Sequence, residues 1–465
     1  MIPLINGIYA DGSPNFRTSY PKNMVPVPKS TGISEGYLRP AEGIVELGTG
    51  PGVNRGGINW NGTIYRVMGT KFVSIASDNT VTTIGDVGTG GRVTFDYGFT
   101  YLAIASGGRM YLYDGTTLAQ VTDPDLGTVL DVVWVDGYYM TTDGEFLVVT
   151  DLDDPFAVNP LKYGSAEADP DPIKGLLKLR NEIYALNRYT IEVFDNVGTT
   201  GFPFQRIAGA QIQKGTVGTH ANCVFMDNIA FLGGGRNEAP GIYMGANGST
   251  QKISTREVDQ ILATYTEAEL SLAFLEERVN QAHTHLIVHL QRHTLVFDGA
   301  ATQALSVPVW FTLSSTLVGD GKWNACTCIW AYDRWNVCHP DTAQFGYLSD
   351  TVSTHWGDTI GWEFGTLIVY NQGQGAIFHD LELVSLTGST AFGVDPTIWT
   401  QYSVDGVTWS VEKPIRAGKT GERNKRLMWL QQGHMRNMRM QRFRGTSDAH
   451  LAVAALEARI EPLAF

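Results

Sequence analysis

Apolar residues along this chain come in short runs broken every few positions by Gly, Asn or Asp, and from about residue 57 these runs recur in sets. A first set holds Ile58-Asn59-Trp60, an Asn61-Gly62 turn, Ile64-Tyr65-Arg66-Val67 and Phe72-Val73-Ser74-Ile75. A third holds Val132-Val133-Trp134-Val135, an Asp136-Gly137 turn, Tyr138-Tyr139-Met140 and Phe146-Leu147-Val148-Val149. Asn-Gly and Asp-Gly between alternating runs mark tight hairpins, because both turn positions need positive φ. Such units start near residues 58, 93, 132, 176, 223, 283 and 329, spaced by 35 to 60 residues. Small antiparallel sheets at that spacing predict an all-β protein built on a β-propeller of six or seven blades. One blade cannot bury both faces alone, so a closed ring must supply the core.

The repeat grammar breaks in three places. Residues 1–56 are rich in Pro, Gly and Asn, as in Tyr20-Pro21-Lys22-Asn23-Met24-Val25-Pro26-Val27-Pro28, which predicts an extended N-terminal arm lying against something else. Within the propeller, 57–345, a short helical insertion is expected over about 254–278. Ser254-Thr255-Arg256-Glu257 and Thr266-Glu267-Ala268-Glu269 both read as capping signatures there, and a helical apolar stripe runs on through Phe274 and Leu275. Longer antiparallel runs fill 346–465 and predict a C-terminal β-sandwich. Its last stretch, Leu451 to Ile460, reads equally as strand or helix.

Composition narrows the classes. The 52 glycines, 11 Trp, 19 Tyr and 20 Phe suit many strands joined by tight turns and exclude a disordered chain. No apolar run is long enough to span a bilayer, and Met1-Ile2-Pro3-Leu4 lacks the charged start of a secretory signal. The net charge of −13 disfavours a free nucleic-acid binder, but it hides an asymmetry. Lys413, Arg416, Lys419, Arg423, Lys425, Arg426, Arg436, Arg439, Arg442 and Arg444 face only Glu422 in their segment, a local +9 that leaves −22 on the rest. This basic band is expected to be a protein interface, docking on an acidic neighbour such as another copy of the chain.

Candidate chemistry is thin. Cys326-Thr327-Cys328 with Cys338-His339 departs from paired zinc-ligand spacing and reads as reduced side chains in strands; with Cys223 these are the four cysteines. His283, His285, His289 and His293 sit at odd positions, so a strand would line several on one face, but no carboxylate is placed beside them by sequence. Asp151-Leu152-Asp153-Asp154 and Asp169-Pro170-Asp171 read as acidic turns rather than calcium loops. Ser403-Val404-Asp405-Gly406-Val407-Thr408-Trp409 is one residue short of a sialidase Asp-box and reads as a hairpin. Without a P-loop, nucleophile elbow, zinc-helix motif or dinucleotide fingerprint, the expectation is no enzyme, no cofactor and no bound metal.

Several stretches carry a family likeness. Ser34-Glu35-Gly36-Tyr37-Leu38-Arg39-Pro40, Gly85-Asp86-Val87-Gly88-Thr89-Gly90-Gly91-Arg92-Val93, Gln213-Lys214-Gly215-Thr216-Val217-Gly218-Thr219 and His285 through Asp298 resemble the tail hub proteins of short-tailed phages, also called packaged-DNA stabilisation proteins. The likeness runs from about residue 20 to 310, with Gln291 standing where that family often has Pro. It implies a structural subunit of the virion tail, assembled in the host cytoplasm, with six copies forming a hub or nozzle ring below the portal and adaptor proteins. Such a ring encloses the DNA exit channel, carries spikes or fibres and is closed by a needle or plug. Double-stranded DNA would pass without sequence-specific binding, and an acidic lumen would let it slide. The alternative from another class is a glycan-binding or glycan-cleaving propeller, whose enzymatic form needs paired carboxylates in a central pocket.

Overall fold

A computed structural model describes residues 8–9, 18–152 and 154–463. Seven antiparallel sheets follow one another along the chain, each led by one inner strand. The inner strands are Asn54–Trp60, Thr94–Tyr97, Asp131–Val135, Ile173–Leu179, Asn222–Phe225, Phe274–Asn280 and Cys326–Ala331. Each touches the next around the ring, and the seventh touches the first. The fold is therefore a closed propeller of seven blades. Its hairpins turn where the sequence supplies left-handed residues, as at Asn61-Gly62 (φ 51° and 80°) and Asp136-Gly137 (φ 49° and 93°). Apolar faces of neighbouring blades press together, for example Trp60, Phe72, Leu102 and Tyr113 between blades 1 and 2.

Blade 7 takes its fourth strand from far away in sequence. Gly43–Thr49 pairs antiparallel with Gln344–Ser349, from Thr49 opposite Gln344 to Gly43 opposite Ser349. Part of the segment read as an arm is thus the seal of the propeller. Another part, Met24–Pro28 and Gly36–Pro40, is a hairpin in the second domain. Met24–Pro28 is the edge strand of its sheet, the position where Pro26 and Pro28 cost no ladder hydrogen bond. Of the predicted arm, residues 1–7 and 10–17 lie outside the described residues.

The second domain is a β-sandwich. One sheet runs Met24–Pro28, Gly36–Pro40, Ala452–Pro462, Ala376–Leu386, Leu427–Leu430; the other runs Gly361–Gly365, Met438–Thr446, Thr397–Ser403, Lys413–Arg416. The Leu451 to Ile460 stretch is strand from Ala452 onward. Phe364, Phe378, Phe443, Leu381 and Leu456 fill the space between the sheets. Residues 21–23 stitch the two domains together. Lys22 N donates to Glu363 O (2.8 Å) in the sandwich, while Asn23 N donates to Thr312 O (2.8 Å) in blade 6. Buried Asn23, at φ 52°, donates through Nδ2 to Ser314 O (2.7 Å) and Gly361 O (2.8 Å) and accepts from Ser314 N (2.9 Å).

The helical insertion is two short helices, α1 (Arg256–Leu262) and α2 (Glu267–Leu270). The capping box predicted at Thr266 and Glu269 is formed, but Thr255 makes no cap hydrogen bond. The apolar stripe does not continue as helix: Phe274 and Leu275 begin the inner strand of blade 6. A third helix, α3 (Gly299–Leu305), follows Asp298. Among the described residues no helix is long and apolar enough to cross a membrane.

Candidate functional site

The propeller axis is where the inner strands converge, and its carboxylates are spent on holding blades together. Asp96 in blade 2 accepts from Trp134 N of blade 3 (2.6 Å), and Asp131 in blade 3 accepts from Leu176 N of blade 4 (2.8 Å). Blade 6 repeats the device on both sides: Glu277 accepts from Met226 N of blade 5 (3.1 Å), Glu276 from Cys328 N of blade 7 (2.8 Å). Each acid takes a backbone N–H in or just beyond a neighbouring blade's inner strand, a partner that a buried backbone donor requires. Burial pushes the Glu276 carboxyl up, but the His289 imidazole (2.6 Å), the Cys328 N–H and the Arg92 charge together hold the group below the usual range. The signal for these acids was their place inside apolar runs, where carboxylates are rare unless paired.

Side chains also cross the axis. Arg92 reaches from blade 2 to the far side of the ring, with Cζ 3.5 Å from the Phe274 ring centroid of blade 6 and Nη2 3.3 Å from Thr327 Oγ1 of blade 7. Phe274 in turn stacks on His289 at 4.1 Å, and His289 lies parallel to Trp323 at 6.2 Å. Lys178 of blade 4 bridges to Asp96 of blade 2 at 3.4 Å. With opposite blades in contact, the bore of a single propeller has no room for a duplex.

The four histidines part company. Asp298, which the sequence left unplaced, sets Oδ2 2.5 Å from His283 Nδ1 and 3.4 Å from His285 Nε2, while its Oδ1 caps α3 at Ala301 N (3.0 Å). All three are buried, and their ligand atoms lie within 4.8 Å of one another. The donor set suits a metal less well than the spacing does. Arg278 Nη2 sits 3.3 Å from His285 Nδ1, and a guanidinium can only donate, so that nitrogen accepts and the proton faces Asp298. A ligating imidazole presents the reverse, lone pair to the ion and N–H outward to an acceptor. Burial pushes His285 down to about 4, so it stays neutral. His293 turns elsewhere, with Nδ1 2.6 Å from Tyr265 Oη.

The remaining motifs serve structure. Cys326 and Cys338 are cross-strand neighbours, a bulge at Thr327 (φ 56°) offsets Cys328, and all four cysteines are free. Asp151 pairs with Lys162 (2.7 Å), and Asp171 caps the Tyr189-Thr190 backbone; Asp153 lies outside the described residues. Asp405 accepts from Val407 N (2.8 Å) and Thr408 N (2.7 Å), making Ser403–Trp409 a closed hairpin turn.

The basic band divides by strand alternation. Arg439 is 1% exposed, stacked between Phe378 (4.3 Å) and Tyr402 (4.0 Å) and donating to Gln432 O (2.6 Å). It belongs to the sandwich core. Arg442 and Arg444, on the other face of that strand, lie over Trp409 and Trp399, with Arg444 bidentate on Glu412. Arg416 pairs with Asp395 and Arg426 with Glu382, and Lys413 donates to Gln431 O. Lys419, Arg423, Lys425 and Arg436 are exposed, and among the described residues their side chains make no ion pair. Three of them cluster at one tip of the sandwich with Phe392, which is 97% exposed beside the Thr390–Thr420 contact.

Two family models tile both domains: residues 1–353 match the β-propeller of bacteriophage P22 Gp10, and residues 361–461 match its β-sandwich. The chain belongs to the bacteriophage P22 Gp10 family. The tail hub protein gp10 of Salmonella phage P22 is 27% identical over 488 residues, covering 99% of each chain. The Gp10-family chain is accordingly a structural component of a virion tail. Among solved structures, the Pan2 WD40 domain of Neurospora crassa is similar over 67% of this chain and 95% of its own, at 12% identity and TM-score 0.42. The designed protein Ika8 covers 66% of this chain and 99% of its own, at 10% identity and TM-score 0.39.

Proposed function

We propose that this chain is the hub subunit of a short-tailed phage, six copies of which form a ring below the portal and adaptor that continues the DNA channel and retains the packaged genome. The observation that carries this reading is correspondence to a tail hub protein through propeller, junction and sandwich together. The closed axis supports it: with Arg92 and Phe274 meeting across the bore, a duplex would run between subunits of a ring rather than through one propeller. A strongly acidic body suits a channel wall that must not grip phosphates. The inner-strand acids, engaged by backbone N–H groups, offer little to glycan cleavage.

Lys419, Arg423 and Lys425, the three neighbours in sequence among the exposed band residues that make no ion pair among the described residues, are the part of the basic band best placed to meet an acidic neighbour. Reversing all three to Glu is expected to abolish six-fold rings in electron micrographs of the purified protein with its adaptor. Unchanged rings would overturn the interface assignment, and intact rings that leak DNA would place these residues in the lumen. Cleavage of host-surface polysaccharide by the isolated chain would replace the reading with the glycan-active one.

A further inference from the structure

Antiparallel order within the blades puts every turn from first to second strand, and from third to fourth, on one face of the propeller. Over blades 2 and 3 that face carries an exposed aromatic anchor. Phe99 is 95% exposed at the turn between Thr94–Tyr97 and Leu102–Ser106, edge-on to Trp134 with 5.2 Å between ring centroids, and Tyr97 is exposed at the same turn. The turn beneath is pinned. Gly98 N donates to Tyr101 O (3.0 Å), and Tyr139 Oη of blade 3 donates to the same carbonyl (2.7 Å). Exposed Leu152 and Phe156 extend the apolar surface on blade 3, Phe156 edge-on to Tyr101 at 5.7 Å. A large ring held in water by a fixed turn has little freedom left to lose on burial, as interface anchors do.

The charge around this anchor is negative. Asp114, Asp136, Asp154 and Asp195 are exposed on the same face of blades 2 to 4, and among the described residues none is ion-paired. Asp114 and Asp154 only cap their own turns, and Asp136 only accepts from Asn196 Nδ2 (3.2 Å). Of the cations nearby, Lys178, Lys162 and Arg206 are held by Asp96, Asp151 and Glu192, which leaves Arg180 exposed. The sandwich tip has the opposite make-up. Thr420 Oγ1 donates to Thr390 O (2.8 Å) and Thr387 Oγ1 to Glu422 O (2.8 Å), stapling the loop of exposed Phe392 and Leu386 to that of Lys419, Arg423 and Lys425. The acid of that loop, Glu422, is turned back onto Lys419 N (2.9 Å). Blades 2 and 3 lie across the ring from blades 6 and 7, where the sandwich is joined at Thr312, Ser314 and the end of Gln344–Ser349.

We infer that this acidic, aromatic face of blades 2 and 3 seats the sandwich tip of a second copy of the chain, a contact that presupposes the hub ring proposed above. Phe99 and Phe392 would form its apolar centre, with Lys419, Arg423 and Lys425 facing the carboxylates. Complementary charge fixes the orientation and speeds the encounter. Since the two surfaces are on opposite flanks, their meeting joins one copy to the next head to tail, and repetition closes a ring.

The test is cross-linking of the purified chain assembled with its adaptor, using a short bis-maleimide on chains carrying Phe99→Cys, Phe392→Cys or both. The double variant should give a ladder of linked copies, and each single variant none. Phe99→Ala should raise the concentration for half-assembly roughly tenfold in sedimentation, with the melting temperature of the unassembled chain unchanged. Asn at positions 114, 136, 154 and 195 keeps the turn caps and should weaken assembly several-fold at low salt while flattening its salt dependence. Rings in electron micrographs without the ladder, or dimers from a single variant, would overturn this interface and leave the hub reading standing. Absence of both rings and ladder would overturn the two together.

Discussion

Replacing Asp131 by asparagine isolates one of the carboxylates that join inner strands. Asp131 is 2% exposed; one oxygen accepts from Leu176 N (2.8 Å) and the other from its neighbour Val132 N (3.0 Å). Burial pushes its carboxyl up to about 7, against opposing hydrogen bonds from Leu176, Thr94 and Val132. In the unfolded chain an aspartate titrates near ~3.9. The folded state therefore holds the proton more tightly, so the stabilising contribution is complete below about pH 4 and is lost as pH rises to about 7. Three pKa units at ~1.4 kcal/mol each give about 4 kcal/mol across that window. Asparagine keeps the acceptor for Leu176 N and never ionises, so it imitates the protonated acid. Urea unfolding followed by tryptophan fluorescence from pH 4 to pH 8 should show parent and Asp131→Asn nearly equal at the acid end. The variant should then gain roughly 1.4 kcal/mol per pH unit up to about pH 7 and level off. Parallel profiles would show that Asp131 is ionised in the folded protein, and the argument from burial would fail.

Two further substitutions test the seal and the stitch. Ile44, 1% exposed in the sealing strand and packed with Val25, Phe311 and Leu348, should cost about 3 kcal/mol on truncation to Ala. Hydrogen exchange of residues 43–49 and 344–349 should rise together, since each is the other's ladder. Asn23→Ala removes three hydrogen bonds to Ser314 and Gly361 and puts at positive φ a residue that tolerates the left-handed region less well than Asn. It should lower stability by about 3 kcal/mol and split one calorimetric transition into separate propeller and sandwich transitions.

Much of this architecture was legible because propeller hairpins are local. Asn61-Gly62 and Asp136-Gly137 declare their turns within four residues, and Thr266 with Glu269 declares a helix start. What escaped was non-local. Nothing near Gly43–Thr49 says that its partner is Gln344–Ser349, and the prolines beside it argued for an extended arm lying against something else, until Met24–Pro28 took an edge position. Phe274 and Leu275 fit a helical stripe and a strand equally well over so short a window, and pairing with His283–His289 decided between them. Arg439 looked like its charged neighbours, yet alternation along Met438–Thr446 turned it inward onto Phe378 and Tyr402. Asp298 reached His283 because strands 15 residues apart in sequence lie side by side, a relation that motif spacing does not encode.

The pairing of Gly43–Thr49 with Gln344–Ser349, and of Leu38 with Val453, has a kinetic corollary. A ribosome delivers the first strand of each pair long before its mate, so the propeller cannot close until residues 344–349 have emerged, nor the sandwich until residues 452–462 have. The early segments must wait as unpaired edges, which makes closure slow and exposes them to the wrong partners. The same wait acts as an inspection step. A prematurely terminated copy lacks the mates and never becomes a rigid body, so only completed molecules are fit to enter the tail.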